Sequence, residues 1–308
     1  VILFNPEGQI IADDAPQVIF EQHKKALMAY GIWYPDVWKD YLSSHSYQAM
    51  QSHRTKEQSE LEMNLAAPVL KLKQFAGFRG EEVKIEVDHA ELYPGDWIAV
   101  IGENGAGKST LLLSLMQLLE TKGSYEILGE DVSQAAKYAY GGKRSLFSKI
   151  FKMKRRTKQA PPQPLAFVFQ NPEWQFVANS IFDEVAFSLR IDNFSEAEIE
   201  KRTSAILDAF GLDMSHDRHP FQLSVGQKRR LSVASAMAVD KPVLLLDEPT
   251  FGLDARSTFH MLEKLEQLRQ QGTAILMVTH DMHIANYFAT KVWKIKQGKL
   301  VEVTAPST

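Results

Sequence analysis

The chain has 308 residues, 44% of them hydrophobic, with a formal net charge of −3 and no cysteine. That hydrophobic fraction supports a sizeable core and excludes a globally disordered chain. The small net charge gives no general pull toward nucleic acid, and the lack of thiols excludes disulfides and thiolate metal sites.

Residues 1–36 predict a strand, a turn and a short helix. They carry an echo of the chain's end: Gly8, Ile10, Ile11, Ala15 and Pro16 fall at the same offsets as Gly298, Leu300, Val301, Ala305 and Pro306. Chance is one reading, since short strands with turns are common. The other is that residues 1–36 close a preceding copy of the same domain, so that the chain starts mid-protein. Residues 37–66 are polar with scattered charge and read as a linker that adds nothing to the core. From Pro68 the composition becomes that of a folded domain. Apolar and polar residues alternate up to a turn at Pro94-Gly95, and the buried strand Trp97–Ile101 follows. A helical pattern covers Thr110–Leu119, and Val243–Leu246 and Ala274–Val278 read as buried parallel strands, which together make an α/β domain. Between 142 and 161 stands a basic insertion with eight Lys and Arg, no acidic residue, and Leu146, Phe147, Ile150 and Phe151 interleaved. It reads as either an amphipathic helix at a membrane surface or a solvated loop. No apolar run reaches the roughly 18–20 residues that span a bilayer, so a membrane role is expected to come through partners.

Three motifs carry chemistry. Gly102-Glu-Asn-Gly-Ala-Gly107-Lys108-Ser109 follows a predicted strand and opens a predicted helix. Its glycines let backbone N–H groups close around phosphates, Lys108 reaches the β- and γ-phosphates, and Ser109 suits Mg²⁺. The strand Val243–Leu246 ends in Asp247 and Glu248. Alone, such a pair is usually a solvated loop start. Beside a P-loop, Asp247 suits Mg²⁺ and Glu248 suits an attacking water. Ser224 of Leu223-Ser-Val-Gly-Gln227 stands where an N-cap belongs, which by itself marks only an ordinary helix start.

GENGAGKST, Gln170, LSVGQ, LLLDEPT, Phe251-Gly-Leu-Asp254 and His280 occur in one order that resembles the ABC ATPase family. The resemblance runs from about residue 67 to 304. It implies an α/β P-loop NTPase core with an antiparallel β subdomain and a helical subdomain at about 171–235. It implies ATP and Mg²⁺ as ligands and a head-to-tail dimer with a second ABC domain. Under that mapping Asn104, Gly105, Gly107, Lys108, Ser109 and Thr110 hold phosphate, and Ser109, Gln170 and Asp247 hold the metal. Glu248, His280 and Gln170 serve catalysis, Ser224, Gly226 and Gln227 serve the partner's nucleotide, and Asp254 lies at the seam. Phe78 is the adenine platform, with Phe75 as runner-up. Val225 departs from the family pattern, which has Gly there.

Within the family, Asn171-Pro172 with Gln175-Phe176, Asp183–Phe187, and the segment with Gly31-Ile-Trp-Tyr-Pro35 are similar to the energy-coupling-factor branch. The similarity implies the second half of a two-domain ATPase of the thiamine-precursor (hydroxymethylpyrimidine) type. It also implies transmembrane transporter subunits as partners, a place at the cytoplasmic face of the membrane, a vitamin precursor or metal ion as cargo, and no nucleic acid. A soluble ABC ATPase acting on ribosomes or DNA is the alternative, and a regulatory binding module without turnover is opposed by the presence of both Glu248 and His280.

Overall fold

The computed structural model describes residues 1–61, 67–132, 164–212 and 216–306. The basic insertion at 142–161 and the end of the 37–66 segment lie outside the described residues. Period-2 alternation builds the first layer. Strands β3 (Leu70–Arg79) and β4 (Glu82–Leu92) pair antiparallel, and β6 (Thr121–Ile127) and β7 (Glu130–Asp131) extend them. Their inward side chains, Leu70, Leu72, Phe75, Ile85 and Leu92 among them, are buried.

The uniformly apolar runs do something different. With no polar face to show to water, β5 (Trp97–Ile101), β9 (Val243–Asp247) and β10 (Ala274–Val278) become central parallel strands covered on both sides. Adding β8 (Leu165–Val168), β11 (Lys291–Lys296) and β12 (Lys299–Thr304) gives one ten-stranded sheet of order β7-β6-β3-β4-β12-β11-β5-β10-β9-β8. The antiparallel half thus runs into the parallel half across β4 and β12. This is the expected fold class.

One hydrophobic cluster fills the space between the antiparallel strands, one face of the parallel sheet and the helix Lys108–Leu115. That helix is shorter than its apolar pattern predicts. Leu118 N closes back on Leu113 O, and Gln117 turns left-handed at φ +56. A second cluster lies on the other face. It gathers the helices inserted between β8 and β9, namely Ile181–Ile191, Glu196–Ala209 and Val225–Ala236. Their starts are set by Ser180, Ser195 and Ser224, each accepting a backbone N–H of the first turn.

The linker expectation for 37–66 needs correction. Residues Val37–Leu42 and His45–Leu61 are helices. Trp38, Tyr41 and Tyr47 are buried on the parallel half. Tyr41 stacks on Phe259 with centroids 3.9 Å apart, and Trp38 meets the same ring edge-on at 4.9 Å. Such pairs contribute about 0.5–1.5 kcal/mol each beyond area burial. Further along, Arg54 forks onto the buried Glu266 at 2.7 and 2.6 Å, and Arg269 holds Glu266 from the other side at 2.8 Å. Three aromatics and one arginine suffice to dock a polar segment, and average polarity concealed them.

Burial alone would raise the Glu266 carboxyl, but the hydrogen bonds from Arg54 and Arg269 outweigh it and hold the group below its ordinary value. Replacing Arg54 by Met keeps the stem and removes the fork. The variant is expected to lose about 1–3 kcal/mol at neutral pH, read from the urea midpoint. A carboxylate with a lowered folded pKa stabilises above its unfolded value and loses that contribution as pH falls through the folded one. Parent and Arg54→Met should therefore converge in acid, below the ordinary carboxyl value of 4.5.

Candidate active site

Strand β5 ends at Ile101 and the chain bends through Gly102–Gly107 into the helix Lys108–Leu115. The bend is pressed against its neighbours. A Cβ on Gly102 (φ +153) would stand 2.3 Å from Ile295 O, and one on Gly107 (φ +111) would stand 2.5 Å from Lys84 O. Only glycine fits either place. Gly105 faces open space at the loop crest. The first intrahelical bond is Leu111 N to Gly107 O, so the earlier N–H groups of the turn lack helical acceptors. This leaves a ring of donors at a helix start, a phosphate cradle.

Lys108 is buried inside that bend, with Nζ donating to Gly102 O at 2.7 Å and Glu103 O at 2.9 Å. Burial lowers its pKa, while the negative charges of Glu248 and Asp247 work against the drop. The Thr110 hydroxyl accepts a hydrogen bond from Arg79 Nε at 3.1 Å, which leaves its own O–H free to donate.

The two carboxylates emerge at the end of β9. Asp247 is 4% exposed and takes a hydrogen bond from Ser109. Burial raises its pKa and the Glu248 charge adds to the rise, while the Ser109 bond, Lys108 and Arg229 oppose it. Its Oδ1 is buried with no hydrogen-bond partner. An orphaned carboxylate oxygen beside a serine hydroxyl is a hard-donor pair suited to Mg²⁺, which takes few protein ligands and completes its shell with phosphate and water. Among the described residues no cluster of three or more His, Cys, Asp or Glu offers an alternative metal cage. The residues fit the ion.

Glu248 adopts a left-handed backbone at φ +50, and its Oε1 lies 3.2 Å from His280 Nε2. Both line one cavity with Thr250, Thr279 and Trp33. The structure therefore brings together Ser109 with Asp247, and Glu248 with His280. Gln170 is exposed, and its main chain is fixed by Arg229, whose Nη1 donates to Gln170 O at 2.6 Å.

Ser224, Gly226 and Gln227 line neither the P-loop cavity nor the Glu248 cavity. They form a capping box, with Ser224 N donating to Gln227 Oε1 at 2.9 Å and Gln227 N donating to Ser224 Oγ at 3.3 Å. Val225 is exposed, and a Cβ on Gly252 would lie 3.9 Å from its Cγ1. Asp254 caps the helix Ala255–Gln270 by accepting from Ser257 N at 2.8 Å. Phe78 is buried, with Lys122 Nζ 4.6 Å from its ring centroid. Phe75 is deeper still and edge-on to Tyr125, which makes it a core residue.

Two residues escaped the sequence reading. Arg229 is 3% exposed, behind the carboxylate pair. Its signal was present: it shares a helix face with the buried Val233 four residues on. Trp33 stood inside the Gly31–Pro35 motif, but nothing local tied it to the site, because its partners are more than 200 residues away.

A strand, a glycine bend, a helix with Lys and Ser, and two carboxylates at the end of a nearby parallel strand define a P-loop nucleoside triphosphatase. The model of the ABC transporter family matches residues 86–251. The chain is 38% identical over 224 residues to the putative HMP/thiamine import ATP-binding protein YkoD of Bacillus subtilis, covering 73% of this chain and 37% of that one. It is 34% identical over 213 residues to the energy-coupling factor transporter ATP-binding protein EcfA2 of Methanospirillum hungatei, covering 69% and 49%. This chain thus spans less than half the length of either relative. Among solved structures, cbiO1 from Clostridium perfringens, part of the ABC transporter complex cbiONQ, superposes with a TM-score of 0.60 at 25% identity over 78% of this chain and 89% of that one. The chain belongs to the ABC transporter family.

The glycines give a graded test. Gly107→Ala meets both a left-handed φ and a main-chain clash. It should cost about 1–3 kcal/mol and abolish the rise in melting temperature on adding ATP. Gly105→Ala pays only the left-handed penalty of about 1–2 kcal/mol and should keep part of that rise.

Proposed function

We propose that this domain powers a membrane importer of the energy-coupling-factor type. It would be paired head-to-tail with a second ABC domain and docked on transmembrane subunits at the cytoplasmic face of the membrane. The observation that carries the reading is the Glu248–His280 contact beside the buried Asp247–Ser109 pair. Lys108 and the N–H groups of the bend bind the phosphates; Phe78 can serve adenine only if Lys122 leaves its ring, because the side chain is buried in this structure. Glu248 accepts the proton of the attacking water, and His280 orients at the γ-phosphate. Ser109 and Asp247, with Gln170 as a third expected ligand, would hold Mg²⁺, which would neutralise phosphate charge. Ser224, Gly226 and Gln227 complete the partner's site; they line neither the P-loop cavity nor the Glu248 cavity of their own chain.

The import branch rests on the names of the relatives and on the surface of the helical lobe. Trp174, Val177, Phe187 and Phe221 are all exposed there, an apolar set suited to partner subunits. One relative's name points to HMP or thiamine as cargo, and a metal ion is the other cargo proposed from the sequence. Residues 1–36 are proposed as the tail of another ABC domain. In support, β1 (Ile2–Phe4) and β2 (Ile10–Asp13) form a hairpin with Gly8 at φ +80, as β11 and β12 do with Gly298 at φ +76.

Glu248→Gln keeps size and removes the base. ATP hydrolysis should fall roughly 10²–10⁴-fold with ATP still bound, and turnover at the parent rate would refute the assignment. The shared site has its own test. Lys108→Ala and Ser224→Ala each damage both sites of a homodimer, while a mixed dimer keeps one intact site. Activity should return on mixing, more so at higher protein concentration. Full activity of Ser224→Ala alone would remove this serine from the partner's site.

A further inference from the structure

The segment Ala29–Trp33 comes from outside the sheet domain, yet it grips the loop between Glu248 and the helix Ala255–Gln270. Trp33 Nε1 donates to Leu253 O at 2.8 Å, and Ala255 N donates to Gly31 O at 2.8 Å. Arg256 reaches back to Ala29 O. The grip therefore falls on both sides of Asp254. It is also close: a Cβ on Gly31 would stand 2.9 Å from Asp254 Oδ1 and 3.0 Å from Arg256 Cβ. Gly31 ends its own helix, Lys24–Tyr30, in a left-handed conformation at φ +71, which is what lets its carbonyl face Ala255.

The segment is anchored behind the contact. Ile32 packs into the second hydrophobic cluster, Tyr34 is buried and donates to Asp40 at 2.6 Å, and the Trp33 ring lies 6.0 Å from Phe259. Trp33 itself is 40% exposed and forms a wall of the cavity that holds Glu248, Thr250 and His280. The loop it holds runs from the general base to the residue expected at the dimer seam, and three of its own main-chain bonds are single-turn contacts within it or to β10. Its far end is held by the Asp254 cap on the helix and, at Leu253 and Ala255 on either side, by this segment.

We infer that Trp33 and Gly31 are positioning residues for ATP hydrolysis: they fix the Thr250–Asp254 loop against Glu248 and so set the rate of the chemical step without binding the nucleotide. The inference rests on the proposed roles of Glu248 and Asp254. It also makes the N-terminal segment a lever on turnover, because any pull that lifts Trp33 from Leu253 loosens the loop beside the base.

The test uses the full chain and Trp33→Phe, which keeps an aromatic ring and deletes the N–H donor. ATP hydrolysis should slow about 3- to 10-fold, the scale of one lost hydrogen bond. ATP affinity should stay at the parent value, and the melting temperature should fall by no more than the few degrees that one lost hydrogen bond costs. Hydrogen exchange at Ala255 and its neighbours should accelerate by a similar factor, and this readout needs no turnover. Gly31→Ala pushes on the same loop from the other side and should reproduce the faster exchange. Unchanged exchange in Trp33→Phe overturns the inference, as does a rate loss that merely follows lost folding or lost ATP affinity. If Glu248→Gln is inactive while Trp33→Phe hydrolyses at the parent rate, this inference alone fails. If Glu248→Gln hydrolyses like the parent, the assignment of the base fails with it.

Discussion

Lys108, Asp247 and Arg229 are each no more than 6% exposed, and the architecture of the site follows from keeping these charges out of water together. A buried ion alone is strongly unfavourable, and it persists only with partners. Lys108 is met by the carbonyls of its own bend and by the field of the carboxylates. Asp247 is met by Ser109, and Arg229 by the main chain at Phe169 and Gln170. Each solution uses a different element: the P-loop helix, the end of β9, the start of the helix Val225–Ala236 (the signature helix, after its Leu223–Gln227 motif) and the segment after β8. Moving any one of these elements exposes or orphans a charge on another. The signature helix and the Gln170 segment are thus tied to the carboxylates through one guanidinium, a physical route by which the helical lobe and the hydrolytic centre share their position.

The motifs were legible because their chemistry is local. A P-loop needs its glycines, lysine and serine within eight consecutive positions, and the apolar runs of β5, β9 and β10 announce buried parallel strands directly. The antiparallel layer was legible through its alternation. What remained hidden depended on pairs distant in sequence. Trp38, Tyr41 and Tyr47 look like sparse aromatics in a polar stretch until Phe259 and Phe288 are brought to them by the sheet. Trp33 means nothing without Leu253. The early end of the P-loop helix at Leu115 was hidden for another reason: the apolar pattern continues through Leu118 and Leu119, but those residues serve a turn that delivers the chain to β6.

The departure at Val225 reads differently once placed. The side chain points outward and the capping box around it is complete, so the helix start pays nothing for the substitution. Gly226 has ordinary clearance from Leu253, with 3.7 Å available to an added methyl. The constraint on this stretch comes from whatever approaches its exposed side, and Val225 presents that visitor with a branched apolar surface where a bare main chain would otherwise stand.

Glu248 sits at φ +50, a conformation that costs an ordinary L-residue about 1–2 kcal/mol and costs glycine almost nothing. The turn would be more comfortable with Gly or Asn. A chain so altered would gain stability and, under the role proposed for Glu248, lose its base, so a screen that selected only for thermal resistance would drift toward an inert domain at this position. The glutamate is a choice made against the fold, and its presence marks the one turn where folding and turnover want different residues.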